Sequence, residues 1–181
     1  MLAVRTSAHQ YDIPISAKAQ YIYDKLLAMG VNSTEILGYD RIYRIKDKKG
    51  YKPYVYVSNN DYAEVLLDDK KSIVFFFGTS DEIKYDGAWG EIDVHLVLMA
   101  NAIKLQLNYE TSTRPDMELR RIIFDLVRQP HKGFTLVGEV VGFDKTFADY
   151  SGLKEDANFD MNPYHSFRYN FKLRFPINAT I

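Results

Sequence analysis

Ser166-Phe167-Arg168-Tyr169-Asn170-Phe171-Lys172-Leu173-Arg174-Phe175 is the stretch that decides the fold. Phe167, Tyr169, Phe171, Leu173 and Phe175 fall on one parity, and Ser166, Arg168, Asn170, Lys172 and Arg174 on the other. Side chains of a strand alternate between faces, so the segment predicts a strand with one apolar wall and one polar, mostly cationic wall. Full burial of five such apolar groups contributes roughly 1.5–3 kcal/mol each, which makes this strand a principal core element.

Outward from that strand, the chain reads as strands punctuated by two helices. Ser72–Phe77 is an almost wholly apolar run, the pattern of a strand buried on both faces. Gly90–Lys104 alternates, with Ile92, Val94, Leu96 and Leu98 inward and Glu91, Asp93 and His95 outward. Phe134–Val141 predicts a further strand, and residues 79–88 read as turn-rich. Pro14 and Ser16 open a helix whose apolar face is Ala19, Ile22, Tyr23, Leu26 and Met29, closed by Gly30. A second helix, Thr113–Gln129, has Thr113 as its cap, Pro115 in its first turn and a stripe of Leu119, Ile122, Ile123, Leu126 and Val127. Asn32–Leu37 reads as a turn, and Tyr62–Leu67 as a short strand or helical turn. Arg41–Lys46 and Tyr54–Val57 flank Lys48-Lys49-Gly50 as a hairpin, with Pro53 confining the second strand to an edge or to its first residue. The order predicts an α+β fold: one mixed or antiparallel sheet with two helices packed on one face. Nothing repeats and no composition shift marks a boundary, so 1–181 reads as a single domain. Residues 1–13 read as an N-terminal arm and 142–163 as a long interaction loop.

Composition narrows the function classes. A formal net charge of −1 lacks the basic excess of a nucleic-acid domain. With no cysteine there is no disulfide, thiolate metal site or cysteine nucleophile, which fits maturation in a reducing cytoplasm. No apolar run approaches the ~18–20 residues that span a bilayer, and Met1–Ile15 lacks the pattern of a secretory signal. The chain therefore reads as soluble. Fourteen Tyr and eleven Phe against one Trp admit two readings: contact surface for wet interfaces, or codon bias in an AT-rich genome.

The chemistry-bearing residues are sparse. His9, His95, His131 and His165 show no metal-ligand spacing. Asp93 and His95 share a strand face about 7 Å apart, which allows a base steadied by a carboxylate, but no serine elbow or third partner accompanies them. Asp144, Asp149, Glu155, Asp156 and Asp160 are spaced too irregularly for a calcium loop. The glycines form no phosphate cradle. Arg168, Lys172 and Arg174 interleave with aromatics, yet alternation puts the rings on the opposite face, where they cannot stack bases beside the cations. Interfacial ion pairing with an acidic neighbour is the simpler expectation for those cations.

Element order, the apolar strand Ser72–Phe77, the helix Thr113–Gln129 before two closing strands, and Asp160-Met161-Asn162-Pro163-Tyr164 together resemble the tail terminator and tail completion (neck ring) proteins of tailed bacteriophages. The Tyr/Asn/Lys bias is similar to that of virion proteins of crAss-like phages. The resemblance covers most of the chain, from Ser16 to Phe175. It implies a structural virion protein, not an enzyme, and brings no catalytic residue or cofactor. Such a subunit forms a hexameric or dodecameric ring, assembled in the host cytoplasm, and contacts itself and adjoining neck, portal or tail proteins. DNA passes through without specific binding, and no membrane is involved. On this reading Phe143, Phe147, Tyr150, Leu153 and Phe159 anchor the long loop on a neighbour, and Arg168, Lys172 and Arg174 meet its charges. The alternative is a small enzyme or ligand-binding domain that uses Asp93 and His95.

Overall fold

The closing strand is the axle of the structure, a computed structural model that describes residues 2–3, 10–58, 61–65, 70–105, 115–156 and 164–177. Strand β1 (Leu2–Ala3) and helix α1 (Asp12–Ala28) precede a 3-10 turn at Ser33–Glu35 and strand β2 (Ile36–Arg41). Strands β3 (Tyr43–Asp47), β4 (Gly50–Ser58) and β5 (Asp61–Glu64) follow, then the long pair β6 (Ile73–Asp86) and β7 (Trp89–Asn101). Helix α2 (Pro115–Val127), strand β8 (Phe134–Val141), short helices α3 (Phe143–Thr146) and α4 (Ser151–Asp156), and strand β9 (Tyr164–Pro176) complete the order.

The class is α+β, as the patterning predicts, but there are two sheets among the described residues rather than one. Six strands form a mixed sheet in the order β1-β2-β6-β7-β9-β8, parallel from β1 to β6 and antiparallel from β6 to β8. The hairpin does form, with Tyr43 opposite Tyr54 and Asp47 opposite Gly50, yet it joins β5 in a separate three-stranded sheet. The reason lies in the main sheet. Phe76 of β6 and Val97 of β7 make its second face apolar too, and an apolar face needs a cover.

Three layers result. On one face, Ile15, Ala19, Ile22 and Leu26 of α1 and Leu119, Ile123, Leu126 and Val127 of α2 bury the even-numbered residues of β7 and the aromatic parity of β9. On the other, Ile42, Val55 and Val65 join Phe147, Tyr150 and Leu153 over Phe76 and Val97.

Several boundaries move for identifiable reasons. Helix α1 starts at Asp12, so Tyr11 to Ile13 leave the expected arm; Pro14 is tolerated because first-turn amides lack helical acceptors. Tyr11 and Asp12 are buried against Arg41, whose Nε lies 2.7 Å from Asp12 Oδ1 and whose Nη1 donates to the Tyr11 hydroxyl at 2.9 Å. The turn expected over Asn32–Leu37 forms at Ser33–Glu35, but Ile36 and Leu37 already belong to a strand that runs to Arg41, where Ser16 Oγ donates to Asp40 Oδ2 at 2.8 Å. The stretch expected to be turn-rich continues as β6 to Asp86, with an irregularity between Thr79 and Ile83 and the reversal at Gly87-Ala88. Lys18, buried, donates from Nζ to the carbonyls of Val127 (3.0 Å) and Gln129 (2.9 Å), so α1 caps the end of α2. The expected α2 cap, Thr113, lies outside the described residues.

Candidate functional site

The polar parity of β9 faces the same side as Asp93 and His95 of β7, and with the segment after β8 it encloses a cavity of about 540 Å³. Its walls carry three cations, Arg44, Arg168 and Lys172, and three carboxylates, Asp81, Asp93 and Asp149. Strand irregularities flank it, between Thr79 and Ile83 in β6 and between Leu136 and Gly138 in β8, and these turn neighbouring side chains off the regular pleat.

His95 is the deepest titratable group. Gly78 sits directly across from it, and a Cβ there would overlap both the imidazole and the Tyr150 hydroxyl. The absence of a side chain at 78 lets Tyr150 reach over β6, with His95 Nε2 and Tyr150 Oη 2.8 Å apart. Burial, reinforced by the Arg168 charge, pulls the His95 pKa down to about 3. Burial and the Asp149 charge push the Tyr150 phenol up. For Asp149, burial pulls upward, but the hydrogen bond and charge of Arg168 outweigh it and hold the carboxyl below its usual range. Arg168 Nη1 meets Asp149 Oδ2 at 2.7 Å, and its Nε donates to Asn170 Oδ1 at 3.0 Å.

Asp93 and His95 thus line one cavity, as their shared parity predicts, but they answer to different partners. Lys172 donates to Asp93 Oδ1 at 3.1 Å and to Glu91 Oε1 at 3.0 Å, and those hydrogen bonds raise its pKa. Arg44 pairs with Asp81 at 3.1 Å. A base with a pKa near 3 is mostly unprotonated at neutral pH and weakly driven to accept a proton, and its Nε2 is already engaged. Ser80 Oγ donates to the Glu82 carbonyl at 3.1 Å. The arrangement fastens α3 and α4 to the sheet by a buried polar seam.

That seam corrects the interaction-loop expectation. Phe147, Tyr150 and Leu153 are buried in the chain's own second core, and Phe143 packs at its margin with its ring 4.8 Å from that of Phe147. Phe159 lies outside the described residues. The β9 cations correct likewise: Arg168 and Lys172 find carboxylates within the chain. Arg174, more exposed, stacks 5.0 Å over the Trp89 ring, with Asp86 at 3.9 Å. The non-local cover of the second face, drawn from 42–65 and from 147–153, had no local signal in its second part except the apolar spacing of Phe143, Phe147, Tyr150 and Leu153.

A second concavity, of about 620 Å³, opens at the end of the sheet where β9 finishes. Ile13, Pro14 and Ala17 of α1 form one bank, Trp89, Phe175 and Pro176 the other, and His131, Lys132 and Gly133 the end. Gly133 has φ +83°, and a Cβ there would overlap the Arg174 carbonyl, so glycine lets this loop close on β9. Ile13 is 61% exposed and Trp89 43%. Sequence reading missed this groove because its apolar residues come from three elements. No protein-family model and no curated protein matches the chain.

Proposed function

We propose that this chain is a non-enzymatic structural subunit of a ring in the neck or tail of a tailed bacteriophage. The ring, hexameric or dodecameric, is built by head-to-tail contacts and caps or joins the tube through which DNA passes. The observation that carries the reading is the distribution of surface. The polar cavity has its principal charges paired within the chain, while apolar surface is left open at the sheet end, in the groove and at Tyr85 (68% exposed) nearby. Contiguous exposed apolar surface marks places where proteins meet. The resemblance in element order supports the particular kind of assembly.

Sedimentation velocity of the purified protein, alone and with candidate neck proteins, tests the reading together with mass spectrometry of gradient-purified particles. The expected result is a ring-sized species on its own or on a partner template, and the chain in the particles. A protein that stays monomeric under every condition and is missing from particles overturns it.

The cavity supports a second reading, a ligand-binding domain using Asp93 and His95, because both line it. A His95→Ala variant that keeps its stability but loses binding to a small polar ligand favours that reading. A variant that loses only stability counts against it.

A further inference from the structure

The groove at the end of β9 is apolar along both banks, and its charged lining consists of Lys132 and Arg174, with no carboxylate among the described residues. His131 beside them is held toward its neutral form by burial and by the Lys18 charge. A basic-rimmed apolar groove fits an extended segment that combines an aromatic side chain with carboxylates. The sequence places such a combination close to β9, where Glu155 and Asp156 end α4 and the chain runs on through Ala157-Asn158-Phe159-Asp160-Met161.

Chain geometry fixes whose copy it is. Phe159 stands five residues before Tyr164, a reach of at most about 18 Å. Tyr164 and Pro176 are opposite ends of β9, and its twelve residue steps span about 40 Å. Phe159 therefore cannot enter the groove of its own chain. We propose that the groove lined by Ile13, Ala17, Trp89, Lys132, Arg174 and Phe175 receives the 155–161 stretch of the next copy. Donor and acceptor sit at opposite ends of one strand, so the contact, repeated in one direction as the ring reading requires, propagates head to tail. This rests on the ring reading and names the contact that closes it.

The chain's single tryptophan is the probe, since Trp89 stands on the groove bank. Titrating the wild-type protein, kept dilute, with a synthetic peptide of residues 155–161 shifts Trp89 emission to the blue and saturates. Ala17 is exposed on α1, so Ala17→Glu adds a carboxylate to the groove without disturbing the core. It weakens the peptide at least tenfold, whereas Ala17→Lys does not, and a peptide with Phe159→Ser binds at least tenfold more weakly. An emission that stays flat to millimolar peptide overturns the inference. So does an emission already blue-shifted at high dilution and insensitive to peptide, which assigns the groove to the chain's own residues 4–9 or 178–181. Rings that form unchanged with Phe159→Ser also overturn it while leaving the ring reading intact. Peptide binding in a protein that neither self-associates nor enters particles overturns both this contact and the ring reading.

Discussion

Phe147→Ala separates a folded seam from a reaching arm. Phe147 is fully buried, its ring lies 4.8 Å from Phe143, and it shares the second core with Phe76, Val97 and Tyr150. Truncating a buried Phe removes its transfer free energy and leaves a cavity, a loss of about 3–5 kcal/mol. For a chain of this length each kcal/mol moves the midpoint by roughly 2–4 °C, so Tm falls by about 6–20 °C. Urea unfolding gives the free energy, and limited proteolysis between 142 and 156 shows whether the seam opens first, as weaker local packing implies. A loss under about 1 kcal/mol, with assembly abolished, would refute the reasoning. It would mean that Phe147 serves a neighbour rather than its own core.

Four further outcomes follow from the same geometry. Gly78→Ala drives a methyl group into His95 and Tyr150 and lowers stability by about 1–3 kcal/mol in denaturant titration; a neutral substitution contradicts the close approach. His95 has a folded pKa near 3 against 6.5 unfolded, so the unfolded chain binds the extra proton between those values. Its stabilising share is whole above pH 6.5 and is lost as pH falls toward 3. The imidazole resonances should hold still down to about pH 4, and a midpoint near 6.5 would contradict the burial. Lys18, lowered to about 8 by burial, makes the native state gain stability as pH rises from about 8 to 10.5. Lys18→Met removes that rise and, by stranding the Val127 and Gln129 carbonyls, costs about 1–3 kcal/mol at pH 7; unchanged melting at pH 7 and 10 sinks the capping role. Arg168→Met leaves Asp149 half-buried without its cation and costs about 1.5–3 kcal/mol, checked by urea unfolding above and below the Asp149 titration.

The two-residue period of β9 and β7 was readable because it depends only on side chains that follow one another along a strand. The apolar parity of 167–175 emerges against α1 and α2 with no residue out of place. The helix stripe 119–127 and the left-handed Gly30 closure are equally local and equally plain. The second face was half legible. The apolar run Ser72–Phe77 announced that something covers its second face, but the cover is drawn from 42–65 and 147–153, and no local rule says which distant segment fits. Ile36–Arg41 was hidden because Asp40 and Arg41 look like surface residues until Ser16, Asp12 and Tyr11 arrive beside them. For the candidate site, shared parity placed Asp93 and His95 on one wall, while their partners, Lys172 and Tyr150, are fixed by register and by a loop helix pair.

Strand β9 comes after β8 in the chain yet lies between β8 and β7. Until it is laid in, β7 keeps a bare hydrogen-bonding edge and β8 has no place in the sheet. A ribosome-bound chain halted before Tyr164 thus displays an incomplete apolar layer, a ready seed for clumping. Completing this sheet requires β9 to enter between two strands that precede it in the chain, and chaperone dependence should track how long that slot stays open.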